Sequence, residues 1–183
     1  NTTGGNNIGT LRFLGSNTFA GTIGATNTLS AINLVGGAGK TVNLQGNTKV
    51  GTGNLNFATG AAATTTLSLS DGVTITGNVN NSTASNDIGT IQFLGDGTIT
   101  GTIGATRTVS AINLQGASKT VNLLGATKVG AGNLNFAAGS TSTSILSLGD
   151  GVTLTGNLNN TTGSSNIGIL QLLGNSTITG TIG

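Results

Sequence analysis

The chain alternates. In Thr90-Ile91-Gln92-Phe93-Leu94-Gly95, apolar Ile91 and Phe93 take turns with polar Thr90 and Gln92, and a glycine closes the run. The pattern is written seven times, with apolar pairs at Leu11/Phe13, Ile32/Leu34, Leu55/Phe57, Ile91/Phe93, Ile112/Leu114, Leu134/Phe136 and Leu170/Leu172. Glycine follows at Gly15, Gly36, Gly60, Gly95, Gly116, Gly139 and Gly174. The pairs start 21, 23, 36, 21, 22 and 36 residues apart. A period of two with β-branched enrichment predicts strands throughout and no helix. Strands returning at this spacing predict stacked coils, an all-β parallel β-helix or β-solenoid.

A longer repeat encloses the coils. Ile8-Gly9-Thr10-Leu11-Arg12-Phe13-Leu14-Gly15 returns as Ile88-Gly89-Thr90-Ile91-Gln92-Phe93-Leu94-Gly95 and as Ile167-Gly168-Ile169-Leu170-Gln171-Leu172-Leu173-Gly174, with periods of 80 and 79. The missing residue falls in a turn, where 36–40 shortens to 116–119. The chain thus reads as one solenoid section, 1–183, with 1–7 ending a preceding repeat, 8–87 and 88–166 as complete repeats, and 167–183 opening a third. Three coils per repeat make about seven in all. In the second repeat the predicted strands are 90–94, 98–103 and 106–110, then 111–114, 120–123 and 127–129, then 133–136, 145–148 and 152–158. The polar tails 80–87 and 159–166 read as protruding loops. Asp71-Gly72, Asp96-Gly97 and Asp150-Gly151 read as turns.

Alternation also sorts the faces. Phe13, Leu34, Phe57, Phe93, Leu114, Phe136 and Leu172 form one predicted core column, stacked about 4.8 Å apart. The residue inside each pair faces outward, giving an amide ladder of Asn33, Asn56, Gln92, Asn113, Asn135 and Gln171 with Arg12 in the same position. Stacked amides hydrogen-bond along such a column without needing charge.

Composition narrows the chemistry. Six Lys/Arg face four Asp for a net charge of +2, and His, Cys, Met, Trp, Tyr and Pro are all absent. So few charges are no basic patch for nucleic acid. Without His, Cys, Tyr or Glu, only Asp71, Asp87, Asp96, Asp150 and the lysines are left for acid–base work. Asp71 and Asp150 occupy one repeat position, about 14 Å apart if three coils separate them, too far to share a scissile bond. No catalytic, cofactor or metal site is expected, since calcium requires several converging oxygens. Zero cysteine excludes disulfides and thiolate sites, and no apolar run is long enough for a spanning helix. The chain begins at Asn1 rather than Met, carries no leader or cap, and is read as a piece of a longer or processed protein.

Several weaker patterns remain. Lys40/Lys119 and Lys49/Lys128 recur in register, with Arg12 and Arg107 elsewhere, either keeping a neutral surface soluble or forming a sparse basic row for anionic glycans or lipopolysaccharide. Thr-x-Thr triplets at Thr74-Ile75-Thr76, Thr98-Ile99-Thr100, Thr153-Leu154-Thr155 and Thr177-Ile178-Thr179 suggest an ice-binding array, but Thr41-Val42-Asn43 and Thr120-Val121-Asn122 interrupt it. Asn-x-Ser/Thr triplets at Asn81, Asn160 and Asn175 are weak glycosylation signals in so Asn- and Thr-rich a chain.

Gly-Asn-Leu-Asn-Phe-Ala-Ala-Gly (132–139) and Asp-Gly-Val-Thr-Leu-Thr-Gly-Asn-Leu (150–158) resemble the passenger repeats of bacterial autotransporter adhesins, and most of all the repeat-rich surface antigens of rickettsia-like bacteria. The likeness covers the whole chain as a repeat grammar and matches no catalytic or receptor motif. It implies a right-handed parallel β-helix exported to the bacterial cell surface, a non-enzymatic rigid extracellular stalk for adhesion or self-association. The implied partners are other copies of itself, end to end or side by side, or a host or bacterial surface component. The alternatives are a self-assembling filament or surface-layer subunit stacking through uncapped ends, a β-helical carbohydrate-active enzyme or tail spike, and an ice-binding protein.

Overall fold

A strand of three or four alternating residues cannot bury its apolar face alone. It does so only when every coil lies on the next, so that inward side chains stack and each backbone amide meets a neighbouring carbonyl. The computed structural model describes residues 4–137, 143–162 and 167–183 and contains, among them, twenty β-strands and no helix. Coil one holds β1 (Thr10–Phe13) and β2 (Asn17–Phe19), and coil two β3 (Ala31–Leu34), β4 (Thr41–Leu44) and β5 (Thr48–Lys49). Coil three holds β6 (Leu55–Phe57), β7 (Thr66–Leu69) and β8 (Val73–Thr76), and coil four β9 (Val79–Asn81), β10 (Thr90–Phe93) and β11 (Gly97–Ile99). Coil five holds β12 (Ala111–Leu114) and β13 (Thr120–Leu123), and coil six β14 (Thr127–Lys128), β15 (Leu134–Phe136) and β16 (Ile145–Leu148). Coil seven holds β17 (Thr153–Thr155), β18 (Leu158–Asn160) and β19 (Ile169–Leu172), and β20 (Thr177–Thr179) starts the next turn.

Every pairing is parallel, and three sheets form the three faces of the solenoid. The first runs β1-β3-β6-β9 and continues to β14-β17-β20 through single-residue bridges from Val79 to Ile103 and from Ile103 to Thr127. The second runs β2-β4-β7-β10-β12-β15-β18, and the third β5-β8-β11-β13-β16-β19, preceded by a bridge from Ile23 to Thr48. About seven coils result, as the alternation predicts.

The phase of the long repeat differs from the predicted one. Val79, Ile103 and Thr127 stack at steps of 24 residues. From Leu11 the pairing runs through Ile32 and Leu55 to Val79, so three coils take 68 residues and the remaining 12 of the 80 carry the chain to the next face. β1 lies on the first sheet, its repeat equivalent β10 on the second, and β19 on the third. The single core column accordingly divides into three. Phe13, Leu34 and Phe57 stack on the first sheet and end against Asn81. Phe93, Leu114 and Phe136 stack on the second, next to Leu69. Leu172 lies on the third beside Leu148 and is 46% exposed, whereas Phe57 and Phe93 are fully buried.

Glycines produce the extra face. The predicted strand 152–158 is bent at Gly156 (φ 130°) into β17 on the first sheet and β18 on the second. A Cβ on Gly156 would lie 2.4 Å from Val129 Cγ1, so only glycine lets the corner close. The predicted strand 98–103 likewise divides into β11 and the bridge residue Ile103. The predicted strand 106–110 does not form; positive φ at Gly104 turns the chain there, and Val109 alone bridges to Val129. The tail 80–87 is not wholly a protruding loop, since Asn80 and Asn81 belong to β9 and Asn81 is fully buried. Asn159 and Asn160 likewise belong to β18, while Gly139 and 163–166 lie outside the described residues.

Candidate interaction surface

The predicted amide ladder is present as separate rungs. Asn56 Nδ2 donates to Asn33 Oδ1 (3.0 Å) on the first sheet, and Asn135 Nδ2 donates to Asn113 Oδ1 (2.8 Å) on the second. Each donor also reaches a backbone carbonyl, Gly53 O at 2.7 Å and Gly132 O at 2.8 Å. Arg12 is opposite Asn33, and Gln92 lies between Ser68 and Asn113 and bonds to Gln115. Gln171 is on the third sheet opposite Ser147. The one-face step separates these groups, since a row that begins in one repeat is continued by different residues of the next.

Other side-chain oxygens form rows that alternation does not reveal. Asn78 Nδ2 donates to Asn54 Oδ1 (3.0 Å), and Asn78 Oδ1 accepts the Thr102 amide (2.9 Å). Asn157 repeats both contacts with Asn133 (3.3 Å) and Thr181 (3.0 Å). Gly-Asn before a strand is the signal, at 53–54, 77–78, 132–133 and 156–157. Asn54 and Asn133 have φ of 64° and 62°, a conformation asparagine tolerates. Asn81 Nδ2 donates to the carbonyls of Ser85 (2.8 Å) and Thr108 (2.9 Å), which leaves that buried amide unsuited to carry a glycan.

The charged groups are spread over different corners. Lys119 Nζ is 3.1 Å from Asp71 and 3.6 Å from Asp96, the only ion pairs among the described residues. Asp71 also accepts the Asp96 amide (2.8 Å), and Asp96 accepts the Thr120 amide (2.7 Å). The amide bond first, and then the lysine, hold the Asp71 carboxyl below the ordinary aspartate value. Asp71 in turn raises Lys119. Asp150 accepts the Asn175 amide (2.7 Å) in the same way but between the third and first sheets, so Asp71 and Asp150 are not stacked as their spacing suggested. Asp87 accepts the Thr108 hydroxyl (2.6 Å). Among the described residues no three acids, histidines or cysteines are grouped to hold a metal. The lysines do not form a row either: Lys49 is on the third sheet and Lys128 on the first, while Lys40 precedes β4 and Lys119 precedes β13.

The threonine triplets, broken in sequence, meet in space. Thr74 pairs with Thr98 while Ile75 pairs with Ile99, which sets Thr76 beside Thr100 on the third sheet. Thr153 pairs with Thr177 and Thr155 with Thr179 on the first sheet. Each junction between repeats therefore carries a square of four threonines. Lys49 stands beside Thr76 and Lys128 beside Thr155. A shallow groove of about 390 Å³ lies elsewhere, on the second sheet, lined by Ser16, Asn17, Thr18, Thr41, Asn43 and Ser68. No family model, curated protein or solved structure matches the chain.

Proposed function

We propose that the chain is a non-enzymatic structural and adhesive section of a bacterial surface protein, a rigid extracellular spacer whose sides make the contacts. The observation that carries this reading is the unbroken parallel register from β1 to Ile182 around one continuous aliphatic and phenylalanine core. Such a stack resists bending because each coil is hydrogen-bonded to both neighbours and packed at interior density. Its outward side chains are amides and hydroxyls held in fixed rows, a surface suited to presenting contacts. The resemblance of 132–139 and 150–158 to autotransporter passengers supplies the location and the adhesive role.

Antibodies raised against the purified chain test this on intact source cells. Labelling before permeabilisation is expected. Labelling only after permeabilisation overturns the surface reading.

A further inference from the structure

We infer that the repeat junction is this rod's unit of lateral recognition, a lysine-edged threonine square for an acidic saccharide, and that successive junctions show it on successive faces. The inference deepens the adhesive reading above and rests on it. In the first square Thr74, Thr76, Thr98 and Thr100 are contributed by the end of one repeat and the start of the next, with Lys49 on the adjacent coil. In the second, Thr153, Thr155, Thr177 and Thr179 take the same places with Lys128. The first square faces out from the third sheet and the second from the first sheet.

The chemistry of the square selects the ligand. Hydroxyls recur about 4.8 Å apart between coils and about 6.6 Å apart along a strand. That grid offers donors and acceptors to ring hydroxyls, and the threonine methyls offer a flat apolar floor to C–H faces. Lys49, beside Thr76, supplies a cation at one edge, and Lys128 takes the same place beside Thr155, its Nζ donating in the unliganded chain to Ala105 O (3.2 Å) on the preceding coil. The opposite edge of the first square holds Asp71 and Asp96, which Lys119 already pairs. The opposite edge of the second holds Asp150, which accepts the Asn175 amide. An anionic group is therefore seated at the lysine edge and kept from the aspartate edge. The one-face step also means that two squares cannot lie on one flat lattice, which disfavours ice as the occupant and favours separate saccharide segments approaching from different sides.

The test titrates the full chain with tetragalacturonate, with its methyl ester as the uncharged control. Two sites per chain are expected, with at least tenfold weaker binding of the ester. Lys49→Gln, or Thr76→Val with Thr100→Val, is expected to remove one site and leave the second. Lys128→Gln, or Thr155→Val with Thr179→Val, removes the other. Valine keeps the strand propensity, and an unchanged far-ultraviolet circular dichroism spectrum confirms folding. Absence of binding, equal binding of acid and ester, or two sites surviving all the substitutions overturns the inference. Surface labelling of intact cells is independent of that outcome, so the adhesive-rod reading stands or falls separately.

Discussion

The two complete repeats, 8–87 and 88–166, have nearly the same sequence and nearly the same local contacts, yet they face different ways. Asn33–Asn56 and Asn113–Asn135 make one contact at 3.0 and 2.8 Å. Asp71 and Asp150 both accept the amide of the residue one coil on, at 2.8 and 2.7 Å. The first amide pair is nevertheless on the first sheet and the second pair on the second sheet. Contacts between adjacent coils depend on the local residues, and the face depends on the count of faces since the chain began. Equivalence in the repeat is therefore not equivalence in the stack. Where the repeats differ in sequence, the contacts change too. Lys119 pairs with Asp96, whereas at the matching corner of the first repeat Ser16 stands in place of that acid and its hydroxyl accepts the Thr41 amide (3.2 Å).

The largest effect that sharpens this comparison comes from Phe93 and Leu172, which are repeat equivalents. Phe93→Asp places an unpaired carboxylate in the closed second-sheet column and should destabilise by at least ~4 kcal/mol or unfold the neighbouring coils. Leu172→Asp changes a half-exposed position and should cost under ~1 kcal/mol. Urea unfolding of the two variants measures the difference, and similar losses would rule out the divided column. Next in size is a register test with paired cysteines. Ser68→Cys with Gln92→Cys occupies a paired position. It should form a disulfide on oxidation and, by closing a loop of 24 residues, stabilise by ~3 kcal/mol. Asn56→Cys with Gln92→Cys joins consecutive rungs of a single ladder but lies on two separate sheets, so it should remain reduced. Mass spectrometry after oxidation distinguishes the two registers.

Most of the fold is legible because three- and four-residue strands alternate. Val42, Leu44, Leu67, Leu69 and Ile75 are inward by that rule and are buried. Phe19 is inward by the same rule but 36% exposed, because β2 is the first strand of its sheet among the described residues. The phase is not legible from alternation, because some faces carry too few residues to alternate. Ile23 and Ile103 each hold a face as a single bridging residue. β5 and β14 have two residues each, and their inward side chains, Thr48 and Thr127, are polar yet fully buried, bonding to the carbonyls of Gly46 and Gly125. Counting apolar pairs passes over such faces. The threonine squares were hidden for the same reason, since Thr74 and Thr98 meet only once the faces are counted correctly.

A smaller effect tests whether the local contacts are as alike as the distances say. Asn56 is nearly buried, and its amide donates to Asn33 and to Gly53 O. Asn56→Ala leaves both acceptors short of a partner and should cost ~1–2 kcal/mol. Asn135→Ala on the next face should cost the same within about 0.5 kcal/mol. A wide gap between the two in urea would mean that the face itself alters the contact.

The smallest effect comes from the corner where Asp96 takes the place of Ser16. The Asp71 carboxyl is held low by the Asp96 amide and by Lys119, so its contribution is present above the pKa of an unfolded aspartate. It is lost as the pH falls through the lower folded value, below about 4. Lys119 is raised, so its share is complete below the ordinary lysine value and fades as the pH rises through the folded one. All three side chains are substantially solvent-exposed, and salt should weaken the cluster further. Lys119→Ala is thus expected to lower the melting temperature slightly at pH 7. The difference should shrink toward pH 2 as Asp71 protonates, and again at high salt. Lys40→Ala, at the corner where Ser16 stands in place of the acid, should show no such pH dependence. A pH-independent loss of equal size in both variants would show that the lysines stabilise the corners through their aliphatic stems rather than their charge.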